Sequence, residues 1–255
     1  MTLRFDIGWL FATLLLSLRV AAATMLAPVL GPAQVPGPVR VMLAVGLGAL
    51  VAAALPVAPI AVTSLSQLGV AALVELIIGA GFALGFLLAQ AAAQLGGRTL
   101  DVQMGFGFAS VVNPVTRTGG PLLGTLFAMA ALAVFLALDG HHVLIQGLAL
   151  SARSVPPGSV AFSPDWEAIL RQSGAMFTFG LALAAPVMLV LLLIDIAMAV
   201  LARSMPQFNV FLLSFSVKIL TGMATIAMSI RLAQGVLGAL YGTTYEYWEA
   251  AAGAR

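Results

Sequence analysis

The sequence predicts an all-α, membrane-associated protein made of long hydrophobic helices and helical hairpins. Three observations carry that prediction. Of the 255 residues, 62% are hydrophobic and 8% charged, against about 45–50% and about 25% in ordinary soluble domains. The apolar runs are long, rich in Ala and Leu, and lack the two-residue alternation of a membrane β-strand. Proline, glycine and most of the few charges separate one run from the next.

The composition also excludes several classes. Nine acidic and eleven basic residues cannot solvate a monomeric globule of this size, so a soluble enzyme with a conventional surface is ruled out. High hydrophobicity rules out a disordered chain. A net charge of +2 is too small to indicate a nucleic-acid partner. With no cysteine, there is no disulfide framework, thiolate nucleophile or Cys-based metal site. What remains is an integral membrane protein, or a chain buried in a larger assembly.

Six apolar segments follow in order. The first, about Phe5–Leu26, is preceded by Arg4 and bracketed by Asp6 and Arg19. It exceeds the ~7–15-residue apolar region of a signal peptide and is read as a retained helix. The second, Val39–Leu55, opens at Pro38 and closes at Pro56, positions where proline suits a helix start and stop. The third, about Leu68–Leu95, contains Glu75, and the fourth runs from Pro121 to Leu138. The fifth, about Gly174–Ala202, carries Pro186 and Asp195. The sixth starts near Met205, contains Lys218 and continues toward Leu240. At up to 36 residues it exceeds the ~20 needed to span a bilayer, so it must tilt, break at a glycine such as Gly222, or leave the apolar layer. Arginines do not orient the chain. In a six-span arrangement Arg4, Arg153, Arg171, Arg231 and Arg255 fall on one side, and Arg40, Arg98, Arg117 and Arg203 on the other.

Two connections interrupt this series. Gly96–Gly120 is 25 residues long with six glycines, and structureless loops of that length are uncommon. Its Phe106, Phe108, Val111 and Val112 are too apolar for a solvent loop. A packed or re-entrant connector and a segment that occludes a cavity both fit. The second connection, Asp139–Arg171, is polar and Pro-containing and is expected to lie outside the apolar layer.

Arg19, Glu75, Asp195 and Lys218 are ionisable residues inside apolar runs, where each costs about 2.5–3.5 kcal/mol on insertion scales, so each needs a partner or water. Ser204–Gln207 has the S-x-x-Q spacing of a capping box at the break between the last two runs. Counted from Met205, Asp195 lies ten residues back and Lys218 thirteen forward. In an antiparallel hairpin their depths differ by ~4.5 Å, which the side chains can bridge. Mutual structural neutralisation is favoured over an ion relay, because four scattered charges do not form a chain of titratable groups. His141 and His142 are adjacent, not at i, i+4, and no third ligand is evident in the sequence, so no metal site is expected. No G-x-S-x-G elbow occurs, and no cofactor is called for. Gly79, Ala80, Gly81, Ala83 and Gly85 place small residues at helical spacing, which permits close helix approach.

An ordered set of motifs then resembles a known family. It comprises Arg19, Pro28, Gly31, Pro36 and Arg40; Glu75 with Gly79 and Gly85; Asp101-Val102-Gln103-Met104-Gly105; Asn113-Pro114; Leu138-Asp139-Gly140-His141-His142 with Ser151 and Pro156-Pro157-Gly158; and Arg203 through Phe211, with Lys218-Ile219 and Gly222. Over about residues 10–240 this set is similar to the FliR/SctT family of type III secretion export gates. The chain departs from the pattern at Ser214 and Ser216, where Gly and Pro are expected. The sequence around Asp139-Gly140-His141-His142 favours the flagellar over the injectisome branch.

The resemblance implies a non-enzymatic subunit of a flagellar export gate in the bacterial inner membrane, within the basal body. Its implied partners are FliP-like, FliQ-like, FlhB-like and FlhA-like subunits and the unfolded exported flagellar proteins. It implies a FliP-like region over 1–172 joined to a FliQ-like hairpin and tail over 173–255. It further implies a channel plug at about 106–118, sealed by Phe106, Phe108, Val111 and Val112 and hinged at Gly105, Gly107, Gly119 and Gly120. Much of the apolar surface is then expected to face sister subunits. An injectisome gate and an ion-coupled transporter using Glu75, Asp195 and Lys218 are the alternatives.

Overall fold

The computed structural model describes residues 7–27, 36–54, 64–106, 121–159, 164–205 and 210–253. Among them are eight helices and no strand. These are α1 (Ile7–Leu26), α2 (Gly37–Ala54), α3 (Leu65–Met104), α4 (Leu122–Ala137), α5 (Gly140–Ser154), α6 (Trp166–Ser204), α7 (Val210–Met228) and α8 (Ile230–Ala251). The all-α class read from the apolar runs is the observed one.

Several boundaries differ from the sequence reading, each for a physical reason. Helix α3 does not stop at Leu95 but runs through Gly96 and Gly97 to Met104. Those glycines mark close contact instead of a loop: a Cβ on Gly96 would stand 2.7 Å from the Gly180 carbonyl, and one on Gly97 would strike the Leu123 carbonyl. The polar stretch 139–171 holds all of α5 and the first turns of α6. The Asp165 carboxylate starts α6 by accepting the Ala168 N–H at 3.0 Å. The final run breaks at Ser229, with a 63° bend between α7 and α8, and not at Gly222. Gly222 serves packing, since a Cβ there would stand 2.6 Å from the Met104 methyl. Helix α8 also continues past Leu240 to Ala251. Of the S-x-x-Q cap, Ser204 ends α6 and donates back to the Val200 carbonyl at 3.2 Å, while 206–209 lie outside the described residues.

The chain groups into two compact units, each discontinuous in sequence. One comprises Met1–Leu88, Leu138–Gln172 and Thr243–Arg255; the other comprises Ala89–Ala137 and Ser173–Gly242. In the first, α1 packs on α2, with Gly48 of α2 against the backbone of Ser17. Leu16, Val51, Ala52 and Ala152 form a buried cluster. The end of α8 closes this unit. Trp248 is buried with its indole N–H on the Phe82 carbonyl at 2.9 Å, and the Tyr247 hydroxyl donates to the Gly81 carbonyl at 3.0 Å. The small-residue stripe makes these approaches possible. Gly79 lies against the Arg19 carbonyl, and Gly85 leaves room for Trp248 and Tyr247.

In the second unit, Leu100, Met104, Leu123, Ala184, Val187 and Leu191 form the core. Helices α3 and α6 cross at reciprocal glycines, Gly96 on the Gly180 carbonyl and Gly180 on the Ala92 carbonyl. The buried Tyr241 donates to the Ala131 carbonyl at 2.8 Å and packs its ring on Phe135.

Four helices (α1, α2, α3 and α6) are long and apolar enough to cross a membrane. The count rises to six if each bent pair, α4 with α5 and α7 with α8, forms one span. The 40 residues of α3 extend about 60 Å at ~1.5 Å per residue, twice a ~30 Å hydrocarbon core.

Candidate functional site

The four charges inside the apolar runs resolve into two pairs, each within one unit. Arg19 of α1 and Glu75 of α3 are both 1% exposed and meet at 2.5 Å, Nε donating to Oε2. The rest of the guanidinium is also used: Nη1 donates to the Ser151 hydroxyl at 2.9 Å and Nη2 to the Val155 carbonyl at 3.0 Å. One ion pair therefore ties α1, α3 and the end of α5 together. No sequence spacing announced it, because its members lie 56 positions apart.

Asp195 of α6 and Lys218 of α7 form the second pair at 2.5 Å, as the count from the hairpin break predicted. It is wetter, with the aspartate side chain 49% and the lysine 17% exposed. Glu75 is thus committed to Arg19, and Asp195 to Lys218. Each of the four charges is therefore met by an opposite one.

Asp139 adopts a left-handed conformation (φ 53°) where the chain bends between α4 and α5. It supplies the third donor that the sequence reading missed, two residues before His141: Asp139, His141 and His142 bring ligand atoms within 4.8 Å of one another. Asp139 and His142 are exposed and His141 is half-buried, and the His142–Asp139 separation is 3.9 Å.

The long connection departs from the second unit at a well-defined base. Helix α3 ends in a Schellman motif. Gly105 takes φ +84°, the Phe106 N–H donates to the Asp101 carbonyl at 2.9 Å, and the Gly105 N–H donates to the Val102 carbonyl at 3.2 Å. A side chain at Gly105 would run into the Phe215 ring, and Phe106 packs against the cluster of Leu100, Met104 and Leu123. The Asp101 carboxylate, 5% exposed, accepts the Leu123 and Gly124 N–H groups at 2.9 and 3.0 Å, capping the start of α4 from another helix. Of the plug residues implied by the resemblance, Phe106 and Gly105 are described. Phe108, Val111, Val112, Gly107, Gly119 and Gly120 lie outside the described residues.

Comparison with known proteins bears on what this arrangement serves. A family model described as bacterial export proteins, family 1, matches residues 10–243. The chain belongs to that family. Among similar proteins, the flagellar biosynthetic protein FliR of Escherichia coli is 33% identical over 213 residues, covering 82% of this chain and 80% of the relative. The FliR of Pectobacterium carotovorum is 32% identical over 219 residues, 84% and 82% of the two chains. The FliR of Aquifex aeolicus is 29% identical over 222 residues, 86% of each. The match of this family-1 export protein runs from α1 into α8, so it takes in both ion pairs, the Asp101 cap and the connection between α3 and α4.

Proposed function

We propose that the chain is a non-enzymatic structural subunit of the flagellar type III protein export gate. With FliP-like and FliQ-like subunits it builds the channel for unfolded flagellar proteins, and FlhB-like and FlhA-like subunits complete the apparatus. The seat is the bacterial inner membrane, in the flagellar basal body. The observation that carries this reading is the family match over residues 10–243, with flagellar relatives covering four-fifths or more of their length. The flagellar names of those relatives favour this branch over an injectisome gate.

The exposed surface supports a subunit role. Met42 and Leu50 on α2, Leu189, Leu192 and Ile196 on α6, and Leu220 on α7 are all large, apolar and exposed. An apolar surface on this scale requires lipid or protein cover. In this reading, residues 1–172 are the FliP-like part and 173–255 the FliQ-like hairpin and tail.

The same reading makes the segment 106–118 the plug of the closed channel, since a short hydrophobic constriction blocks ions by excluding water. Co-purification tests the subunit role: stable recovery with FliP-like and FliQ-like partners is expected, and recovery alone overturns it. Deleting Phe106–Thr118 is expected to raise small-ion leakage through the gate; unchanged leakage removes the plug.

A further inference from the structure

We propose that Asp101 is a positioning residue that staples the carboxyl end of α3 to the amino end of α4, fixing both ends of the segment between them. The inference rests on the plug reading only for its functional consequence; the staple stands on geometry alone. Asp101 acts in two directions. Its backbone carbonyl receives the Phe106 N–H and closes α3. Its carboxylate receives the Leu123 and Gly124 N–H groups at the start of α4. The first N–H groups of a helix have no intrahelical acceptor, and a negative charge there also meets the positive end of the helix dipole. A buried carboxylate on two such donors makes charge-assisted hydrogen bonds, stronger than neutral ones.

The surrounding contacts hold the same base. Gly97 lies against the Leu123 carbonyl and Gly124, Phe106 packs on the core of the unit, and the Phe215 ring covers Gly105. Two consequences follow. Gly105 is a fixed cap whose φ of +84° serves the Schellman turn, and Phe106 is an anchor.

The natural chain has no cysteine, so spin labels can be placed cleanly at Val102→Cys and Leu122→Cys, two exposed positions either side of the staple. A control pair, Leu189→Cys and Leu220→Cys, is likewise exposed, on α6 and α7. Distances are read by double electron–electron resonance on the full chain. Asp101→Ala is expected to broaden the 102–122 distribution and leave the control unchanged. Asp101→Asn, whose amide offers a single acceptor oxygen and no charge, is expected to fall between. An unchanged 102–122 width, or equal broadening of the control pair, overturns the staple. Small-ion leakage through the gate is measured on the same variants. Broadening with increased leakage supports both staple and plug; broadening with unchanged leakage supports the staple and removes the plug reading.

Discussion

Replacing Glu75 by glutamine tests the buried ion pair of the first unit. The glutamine keeps the shape and can still accept from Nε of Arg19. It removes the counter-charge that the described residues give a guanidinium that is 1% exposed. The Ser151 hydroxyl at 2.9 Å and the Val155 carbonyl at 3.0 Å are dipoles and do not neutralise it. Breaking a buried pair from one side costs about 3–5 kcal/mol, because the remaining charge is left uncompensated. With a midpoint shift of about 2–4 °C per kcal/mol for large domains, unfolding is expected about 6–20 °C lower. The assay is thermal unfolding of the purified full chain in detergent, followed by far-UV circular dichroism.

The double substitution Arg19→Met with Glu75→Met supplies the decisive arm. Removing both charges also removes both desolvation costs, so the double variant is expected to be more stable than Glu75→Gln. Coupling between the sites is then large and favourable in a double-mutant cycle built from the two methionine substitutions. A Glu75→Gln midpoint within about 2 °C of the natural chain, or losses that simply add in the cycle, would refute the reasoning.

Two further outcomes follow from the packing. Gly79→Ala drives a methyl onto the Arg19 carbonyl and Ala22 and is expected to cost about 1–3 kcal/mol, as overpacking does. Gly81→Ala, with only the Tyr247 hydroxyl at 3.9 Å, is expected to be neutral or to gain up to about 1 kcal/mol of helix propensity. The same unfolding experiment separates them, and equal losses would show that the stripe is not a packing surface. Of the three tryptophans, Trp248 is 1% exposed, against 43% for Trp9 and 67% for Trp166. A Trp9→Phe, Trp166→Phe chain should therefore emit at shorter wavelength and resist acrylamide quenching. Trp248→Phe, which loses the bond to the Phe82 carbonyl, is expected to cost about 1 kcal/mol.

Legibility from sequence followed the range of the physics. Helix type was readable because long Ala- and Leu-rich runs are local. The Asp195–Lys218 pair was readable because a single hairpin break sets the depth of both residues. The glycines at 96, 97 and 222 misled, since a residue without a Cβ is the same letter whether the chain turns or another helix presses on it. The break at Ser229 carries no proline or glycine signal, and the polar stretch 139–171 hid a helix whose start depends on Asp165.

By itself the sequence determined that this is an all-α, cysteine-free chain too apolar for a soluble surface, with motifs in the order of the export-gate family. Those properties are sums or local patterns, which one dimension records in full. The tertiary structure alone decided that Arg19 meets Glu75 across 56 positions and that Asp101 caps a helix beginning 21 residues later, at Leu122. The physical reason is that a buried charge or an open helix end takes whichever partner packing brings within about 3 Å, and only the folded chain sets that distance.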